Sequence, residues 1–129
     1  LALSRPVQAL RVVDDQVGSP TSALNLTEQI AALVDEPHQG LFHASAEGYC
    51  SWYEFANCFL SEMSVAAKLV PCTSDEYPRP AARPRNSILE NARLKKSGIH
   101  AMNDWHESIR QFVQENRDEL MKEAKKSQT

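Results

Sequence analysis

The hydrophobic residues of the first half of the chain fall into short runs and one helical pattern. At Leu10 the stretch LRVVDD is short, β-branched and followed by the turn residues VGSPT, which predicts a strand that leads into a loop. Residues 22–35 place apolar side chains at helical spacing before Pro37 and Gly40, which predicts an amphipathic helix. Its expected apolar face comprises Ala23, Leu26, Ile30, Leu33 and Val34. The next run, residues 41–45 (LFHAS), lies between glycines and predicts a buried strand.

In the middle of the chain, a capping pattern predicts the start of a second helix. Ser51 and Glu54 stand three apart, so that hydroxyl and carboxylate can each satisfy a free backbone amide. The expected core face of this helix comprises Trp52, Phe55, Phe59 and Met63. Residues 67–71 (AKLVP) then predict a strand, and four prolines between residues 71 and 84 disfavour regular structure.

The last third of the chain predicts a short strand and two helices. Residues 86–90 form the candidate strand, and Asn91 stands where it could cap a helix through Lys96. A final helix is expected to begin at Asp104 and to fray after Leu120. Its expected core face comprises Trp105, Ile109, Phe112 and Val113. These patterns together predict an α/β fold with a few short strands and about four helices.

Length and composition indicate one globular domain. The chain has 129 residues, of which 42% are hydrophobic and 24% charged, so we expect residues 1–129 to form a single domain with a frayed tail at about 121–129. The net charge of −3 disfavours binding to nucleic acid or to an anionic membrane. No apolar run approaches the roughly 20 residues of a membrane span, and the first residues carry no signal-peptide pattern, so a cytoplasmic protein is expected.

The cysteines and histidines are not spaced as metal ligands. The three cysteines form no CxxC pair, and the four histidines form neither an HxH nor an HExxH motif. We therefore expect no metal site in this chain. No internal repeat or low-complexity tract occurs.

Three blocks of sequence resemble the dTDP-4-dehydrorhamnose reductase family, a branch of the extended short-chain dehydrogenases. They are VVDDQVGSPT at residues 12–21, SWYEFA at residues 51–56 and YPRPAARPRNSILENARLKKSGI at residues 77–99. Their order and separation also match the family, and the resemblance covers nearly the whole chain but only the later part of a family member. It implies the fold of a C-terminal substrate-binding lobe without the Rossmann cofactor domain.

The resemblance implies a reaction whose chemical groups lie outside this chain. The parent enzyme would use NADPH or NADH to reduce dTDP-4-dehydro-6-deoxy-L-mannose to dTDP-L-rhamnose for cell-surface polysaccharide. The four glycines form no GxGxxG motif, which dinucleotide-binding turns require. No tyrosine is followed four residues later by a lysine, which is the spacing of the family's catalytic pair. We therefore expect no catalytic residue and no cofactor in this fragment, and no turnover by the fragment alone.

The candidate substrate-binding residues lie in the first and third blocks. Gln16, Gly18 and Thr21 belong to a loop with exposed amides and hydroxyls, which would line the substrate cleft in related enzymes but could equally form a capped strand-to-helix turn. Arg83 matches an arginine that grips the diphosphate in related enzymes, because guanidinium can form two parallel hydrogen bonds. The alternative is a solvated surface arginine. Asn86 is a weaker candidate that could instead tie down its own loop.

The third block departs from the family at Ala82, where the family often has a second arginine beside the one at Arg83. This departure puts in question how completely the diphosphate site is preserved. Trp52 and Tyr53 could stack on a base or a sugar, yet the position of Trp52 on an apolar stripe favours core packing.

Partners and alternative functions also follow from the resemblance. The segment LFHAS would join the edge of the cofactor domain's parallel sheet, so the fragment is expected to partner the missing N-terminal Rossmann domain or to self-associate there. One alternative is a non-catalytic regulatory subunit similar to that of methionine adenosyltransferase. Another is a lobe of a different sugar-nucleotide epimerase or dehydratase. The blocks DDQVGSPT and SWYEFA favour the reductase.

Overall fold

The computed structural model describes residues 9–35, 37–76, 81 and 83–126. Helices and short strands are mixed along the chain, and the predicted α/β class with four helices is confirmed. In chain order the elements are β1 (Leu10–Val13), β2 (Val17–Gly18), α1 (Ala23–Val34), β3 (Cys50–Ser51), α2 (Trp52–Glu62), β4 (Leu69–Cys72), a 3-10 turn (Ser74–Glu76), α3 (Ala92–Lys96) and α4 (Trp105–Lys126).

The strands form two separate pairs. β1 and β4 are parallel, with a register from Leu10 opposite Leu69 to Val13 opposite Cys72. This pair confirms the strands predicted from LRVVDD and AKLVP. β2 and β3 are antiparallel, so the loop after β1 is joined to the start of α2. β4 lies at the edge of its two-stranded pair, which is the setting in which a proline such as Pro71 is tolerated.

The hydrophobic core lies between α2 and α4. Its buried members are Ala46, Cys50, Met63, Trp105, Ile109 and Val113, and Phe55 and Phe59 pack against them. The predicted core faces of α2 and α4 are each wrong at one position. Trp52 is 53% exposed and Phe112 is 46% exposed. α2 and α4 pack on each other, and each helix buries only the stripe that faces the other, so aromatic residues beside that stripe stay in solvent.

The face that α1 buries is polar, which the sequence did not predict. Asn25 and Gln29 are buried, whereas Ile30 is half exposed and Val34 is 77% exposed. Gln29 donates to the carbonyl of Ile99 (2.8 Å) and accepts from the amide of Ala101 (2.7 Å). Asn25 holds the same segment in a similar way. The two amides satisfy a loop backbone, and this demand turns the apolar face of α1 outward.

Residues 41–45 do not form the predicted strand. No element is assigned there, and Leu41 is exposed. A strand requires a neighbouring backbone, and within the described ranges this segment is not paired in any ladder. Side chains hold it instead: Arg93 donates to the carbonyl of Leu41 (2.9 Å), and its guanidinium lies over the ring of Phe42. The position of this short run between glycines predicted a strand, and the described residues supply no partner strand for it.

Asn91 does not cap α3 through its side chain, contrary to the prediction. It is buried, donates to the carbonyl of Ser45 (2.7 Å) and accepts from the amide of Ser45 (3.0 Å). It also donates to the carboxylate of Glu47 (2.8 Å), and this bond, followed by those from Lys95 and His100, lowers the pKa of Glu47 below its ordinary value. Because these partners occupy the side chain, it fixes the loop before β3 to α3.

Two further boundaries differ from the sequence prediction. In the candidate strand at residues 86–90, Asn86 alone pairs, as an isolated bridge to Val17. α4 continues past Leu120 to Lys126, and its side chains Leu120 and Met121 pack against the core. This packing explains why the helix extends into the segment that was expected to fray. Residues 127–129 lie outside the described ranges.

We expect Gln29→Met to lower the free energy of unfolding by about 1–3 kcal/mol, because it leaves the carbonyl of Ile99 and the amide of Ala101 without their partners. Methionine has a similar length, so packing changes little. Urea unfolding followed by tryptophan fluorescence measures the effect. Gln114→Met, at an exposed position of α4, is the matched control. Equal stabilities of the two variants would contradict the role given to the buried amide.

Candidate functional site

A cavity of about 240 Å³ opens where β2, the start of α2 and the segment after the prolines meet. Its walls come from residues 16–20, residues 50–52 with Phe55, and residues 83, 84 and 87. The third wall is tied to β2 by backbone bonds: Val17 donates to the carbonyl of Arg85 (2.9 Å), and the amide of Ser87 donates to Val17 (3.0 Å). Segments far apart in sequence are thereby brought to one site.

Ser51 holds the start of α2 at the cavity. Its hydroxyl donates to Asp14 (2.5 Å) and accepts from the amide of Glu54 (3.1 Å), while its own amide donates to the Glu54 carboxylate (2.7 Å). The predicted capping box is therefore confirmed. The bond to Asp14 adds a link to the end of β1, so the loop of residues 14–18 and the first turn of α2 keep a fixed relative position.

Gly18 is needed for the close approach of two cavity walls. A Cβ atom at this position would lie 2.6 Å from the hydroxyl oxygen of Ser87, which is shorter than any ordinary contact. That hydroxyl donates to the carbonyl of Val17 (3.2 Å), so it is held in place. The absence of a side chain at Gly18 thus lets the third wall lie directly against β2.

Arg83 supplies a cation at the cavity. It is exposed, and within the described part of the chain its guanidinium forms no hydrogen bond or ion pair. Arg85 differs, since it lies 4.0 Å from Asp15 and 3.9 Å from Asp75. The pKa of Asp15 is lowered mainly by its hydrogen bond from Ser74, with a smaller contribution from Arg85. Of these two arginines, Arg83 is the one available to an anionic ligand.

The candidate residues divide into two groups. Gln16, Gly18 and Arg83 line the cavity together. Thr21 lies outside its lining, donates to the carbonyl of Ser19 (2.9 Å) and accepts from the amide of Ala46 (3.0 Å). Asn86 also lies outside and accepts from the amide of Ile88 (2.9 Å). The contacts of these two residues hold loops, and their direct role in binding stays a prediction.

The cavity also includes two serines that the sequence did not single out, and Trp52, for which the sequence favoured core packing over stacking on a base or a sugar. Ser19 lies in the first wall and donates to the carbonyl of Gly48 (2.7 Å), while Ser87 lies in the third wall. Trp52 was assigned to the core but lines the cavity instead. The signal for Trp52 is its position directly after the N-cap, where a side chain projects from the helix end beside the loop.

The chemistry of the cavity suits binding of a ligand. Among the described residues of its lining there is no carboxylate, imidazole, amine or phenol. Cys50 carries a thiol, but burial raises its pKa from 9.0 to about 11, so it is protonated at neutral pH and is a poor nucleophile. A cation, hydroxyls, backbone amides and an aromatic surface remain, which can hold an anion attached to an apolar group.

A second, more apolar groove of about 590 Å³ lies between the start of α1, α2 and α4. It shares Pro20 and Phe55 with the cavity and includes the exposed Leu24 and Phe112. Across the described ranges, no cluster of three potential metal ligands occurs. None of the described helices is long and apolar enough to cross a membrane.

Comparison with known proteins identifies the family. The family model described as RmlD substrate binding domain matches residues 1–118. The spore coat polysaccharide biosynthesis protein SpsK of Bacillus subtilis (strain 168) is 37% identical over 115 residues, which cover 89% of this chain and 40% of SpsK.

Two solved structures share the fold. A dTDP-4-dehydrorhamnose reductase from Clostridium acetobutylicum ATCC 824 superposes with a TM-score of 0.80 at 39% identity, covering 82% of this chain and 38% of that one. A dTDP-4-dehydrorhamnose reductase from Bacillus anthracis str. Ames, in complex with NADP, superposes with a TM-score of 0.80 at 34% identity, covering 83% and 38%.

The chain thus spans about 40% of the length of the relatives that it matches. The family model covers most of the chain, and the fold agrees with the solved reductases over nearly all of the matched region. The chain therefore belongs to the RmlD substrate binding domain family and matches the C-terminal, substrate-binding part of dTDP-4-dehydrorhamnose reductases.

Proposed function

We propose that this chain binds the nucleotide diphosphate end of a dTDP-sugar, as the single substrate-binding domain of a dTDP-4-dehydrorhamnose reductase. The observation that carries the proposal is Arg83, whose guanidinium has no partner among the described residues and lies in one cavity with Gln16 and Gly18. An unpaired arginine beside hydroxyls and backbone amides is suited to a diphosphate. The identity of the sugar nucleotide is inferred from the related proteins, which are named dTDP-4-dehydrorhamnose reductases.

The size of the cavity supports a substrate site that is completed by residues outside the described part of the chain. Pockets that enclose a ligand of this size have volumes of roughly 300–1,000 Å³, whereas this cavity measures about 240 Å³. It can therefore enclose part of a sugar nucleotide but not the whole molecule. The sugar would project beyond the described residues, toward the groups that carry out the reaction.

We propose the reaction and cofactor of the whole protein from its relatives. The reaction is reduction of the 4-keto group of dTDP-4-dehydro-6-deoxy-L-mannose to dTDP-L-rhamnose by NADPH or NADH, and a related reductase has been solved with NADP. This chain contributes recognition, since binding of remote groups places the carbonyl for hydride transfer. The described lining of its cavity holds no carboxylate, imidazole, amine or phenol, and we propose that the fragment alone turns over no substrate. We propose a cytoplasmic location, where these cofactors and sugar nucleotides would be used.

The partner proposed for this chain is a Rossmann cofactor domain. Ile30 and Val34 of α1 expose an apolar face, and residues 41–45 leave backbone groups unpaired within the described ranges. The edge of a parallel sheet can pair with a further extended segment, and a helix with one apolar face can cover the adjoining face of the sheet. In the absence of that domain, the same surface would favour self-association.

A regulatory subunit similar to that of methionine adenosyltransferase is the alternative. Such a protein has no need of a dTDP-sugar, whereas the unpaired Arg83 in a cavity with exposed amides favours a nucleotide diphosphate ligand. Binding of dTDP therefore separates the two functions. A lobe of a different sugar-nucleotide epimerase or dehydratase would also bind dTDP, and substrate turnover by the chain joined to a cofactor domain distinguishes it.

We expect the chain to bind dTDP, and Arg83→Gln to weaken that binding about 10- to 100-fold, which is the usual effect of losing hydrogen bonds to a charged group. Isothermal titration calorimetry measures both affinities. Arg110→Gln, on the exposed side of α4 and outside the cavity, is the control and should bind as the unsubstituted chain does. Absence of dTDP binding by the unsubstituted chain would overturn the proposed function.

We expect Gly18→Ala to weaken dTDP binding several-fold, because the added methyl group meets the hydroxyl of Ser87 and displaces that side chain in the cavity wall. In the double variant Gly18→Ala, Ser87→Ala the nearest Ser87 atom is 4.0 Å from the added carbon, so affinity should largely return. Titration calorimetry compares the variants. A double variant no better than Gly18→Ala would contradict the steric explanation.

We expect the chain to self-associate at micromolar concentrations through α1 and residues 41–45. Val34→Lys places a charge on the exposed apolar face and should shift the sedimentation profile toward monomer. Lys96→Glu, exposed on α3, serves as the control for a change in charge. A strictly monomeric profile of the unsubstituted chain would contradict this prediction.

A further inference from the structure

The indole of Trp52 lies outside the hydrophobic core. The chain has two tryptophans: Trp105 is 5% exposed in the core, whereas Trp52 is 53% exposed. Tryptophan carries the largest apolar side chain, so exposure of half of its surface to water is unfavourable. Trp52 lines the cavity that also holds Arg83 and Gly18. The exposed ring surface is therefore placed at the site where a ligand would cover it.

The indole is held in position before any ligand binds. Phe55 contacts it edge-on, with ring centroids 6.4 Å apart and an angle of 79° between the planes. Trp52 is also the first residue of α2, directly after Ser51, whose bonds to Asp14 and Glu54 fix the helix start. A preorganised ring loses little conformational freedom when a ligand stacks on it.

We propose that Trp52 is the platform on which the nucleobase of the bound nucleotide stacks; this inference rests on the proposed function of the cavity. A nucleoside diphosphate combines a flat aromatic base with a strongly charged diphosphate. The cavity lining pairs the same two chemistries, a flat aromatic surface at Trp52 and a free cation at Arg83. Stacking tolerates different bases because every base has an aromatic face. Trp52 thus contributes affinity for the base, and Arg83 contributes affinity for the diphosphate.

A sugar ring could also lie on an indole, and a neighbouring protein surface could cover it. The nucleobase is favoured because it has a flat aromatic face that can stack on the indole, which a saturated sugar ring lacks. The sugar lies at the other end of the diphosphate. Comparison of dTDP, which carries no sugar, with inorganic pyrophosphate, which carries neither base nor sugar, separates these possibilities.

The test measures how dTDP, dTMP and inorganic pyrophosphate bind to the chain and to its variants. We expect dTDP and dTMP to quench the tryptophan emission of the unsubstituted chain in a saturable way, and pyrophosphate to bind without quenching. Trp52→Phe should abolish the quenching, because the buried Trp105 is then the sole emitter, while dTDP affinity falls only a few-fold. Trp52→Ala should lower dTDP affinity about 10-fold or more and leave pyrophosphate affinity unchanged.

Controls keep the inference separate from the proposed function. Phe112→Ala removes a similarly exposed aromatic ring outside the cavity and should not change either affinity. Arg83→Gln should weaken dTDP and pyrophosphate alike. If dTDP binds and Arg83→Gln weakens it but Trp52→Ala has no effect, or weakens pyrophosphate equally, the stacking role is overturned and the proposed function stands. If neither dTDP nor pyrophosphate binds, both are overturned.

Discussion

The hydrogen bonds of Ser51 are the constraint on which the rest of the site depends. The Ser51 hydroxyl accepts from the amide of Glu54 in the first turn of α2 and donates to Asp14, which follows β1. Its backbone pairs with Val17 of β2. Because these bonds meet at a buried residue, the loop of residues 14–18 and the start of α2 cannot move independently. The cavity lies beside this junction. Because Trp52 follows Ser51 directly, the same hydrogen bonds fix the position of its exposed indole.

Away from the cavity, buried side-chain amides occupy positions that apolar side chains usually occupy. Asn25, Gln29 and Asn91 are buried, and each binds the backbone of a loop that has no regular structure. This arrangement fixes long connections without strands. It also leaves the apolar residues of α1 facing solvent, since the helix can present only one face to those loops. The orientation of α1 that buries Asn25 and Gln29 therefore also exposes an apolar surface, at Ile30 and Val34, that is suited to a partner.

The described lining of the cavity consists of groups that suit ligand binding. The described lining of the cavity has a cation, hydroxyls and an aromatic ring, and its one thiol is kept protonated by burial. Groups of this kind suit an anion that carries a flat apolar group. A cleft that is smaller than a sugar nucleotide and has no acid or base among its described residues is consistent with a domain that positions one end of a substrate.

The sequence by itself determined the family, the α/β class, the helices, the β1 and β4 strands and the capping box at Ser51, because each depends on neighbours in the chain or on motifs. It also indicated Gln16, Gly18 and Arg83, which the fold brings into one cavity. The tertiary structure alone decided which face each helix buries, why residues 41–45 are not a strand and why Trp52 is exposed. Helical periodicity marks an apolar stripe but does not say what covers it, and a strand forms only where another backbone supplies its hydrogen bonds.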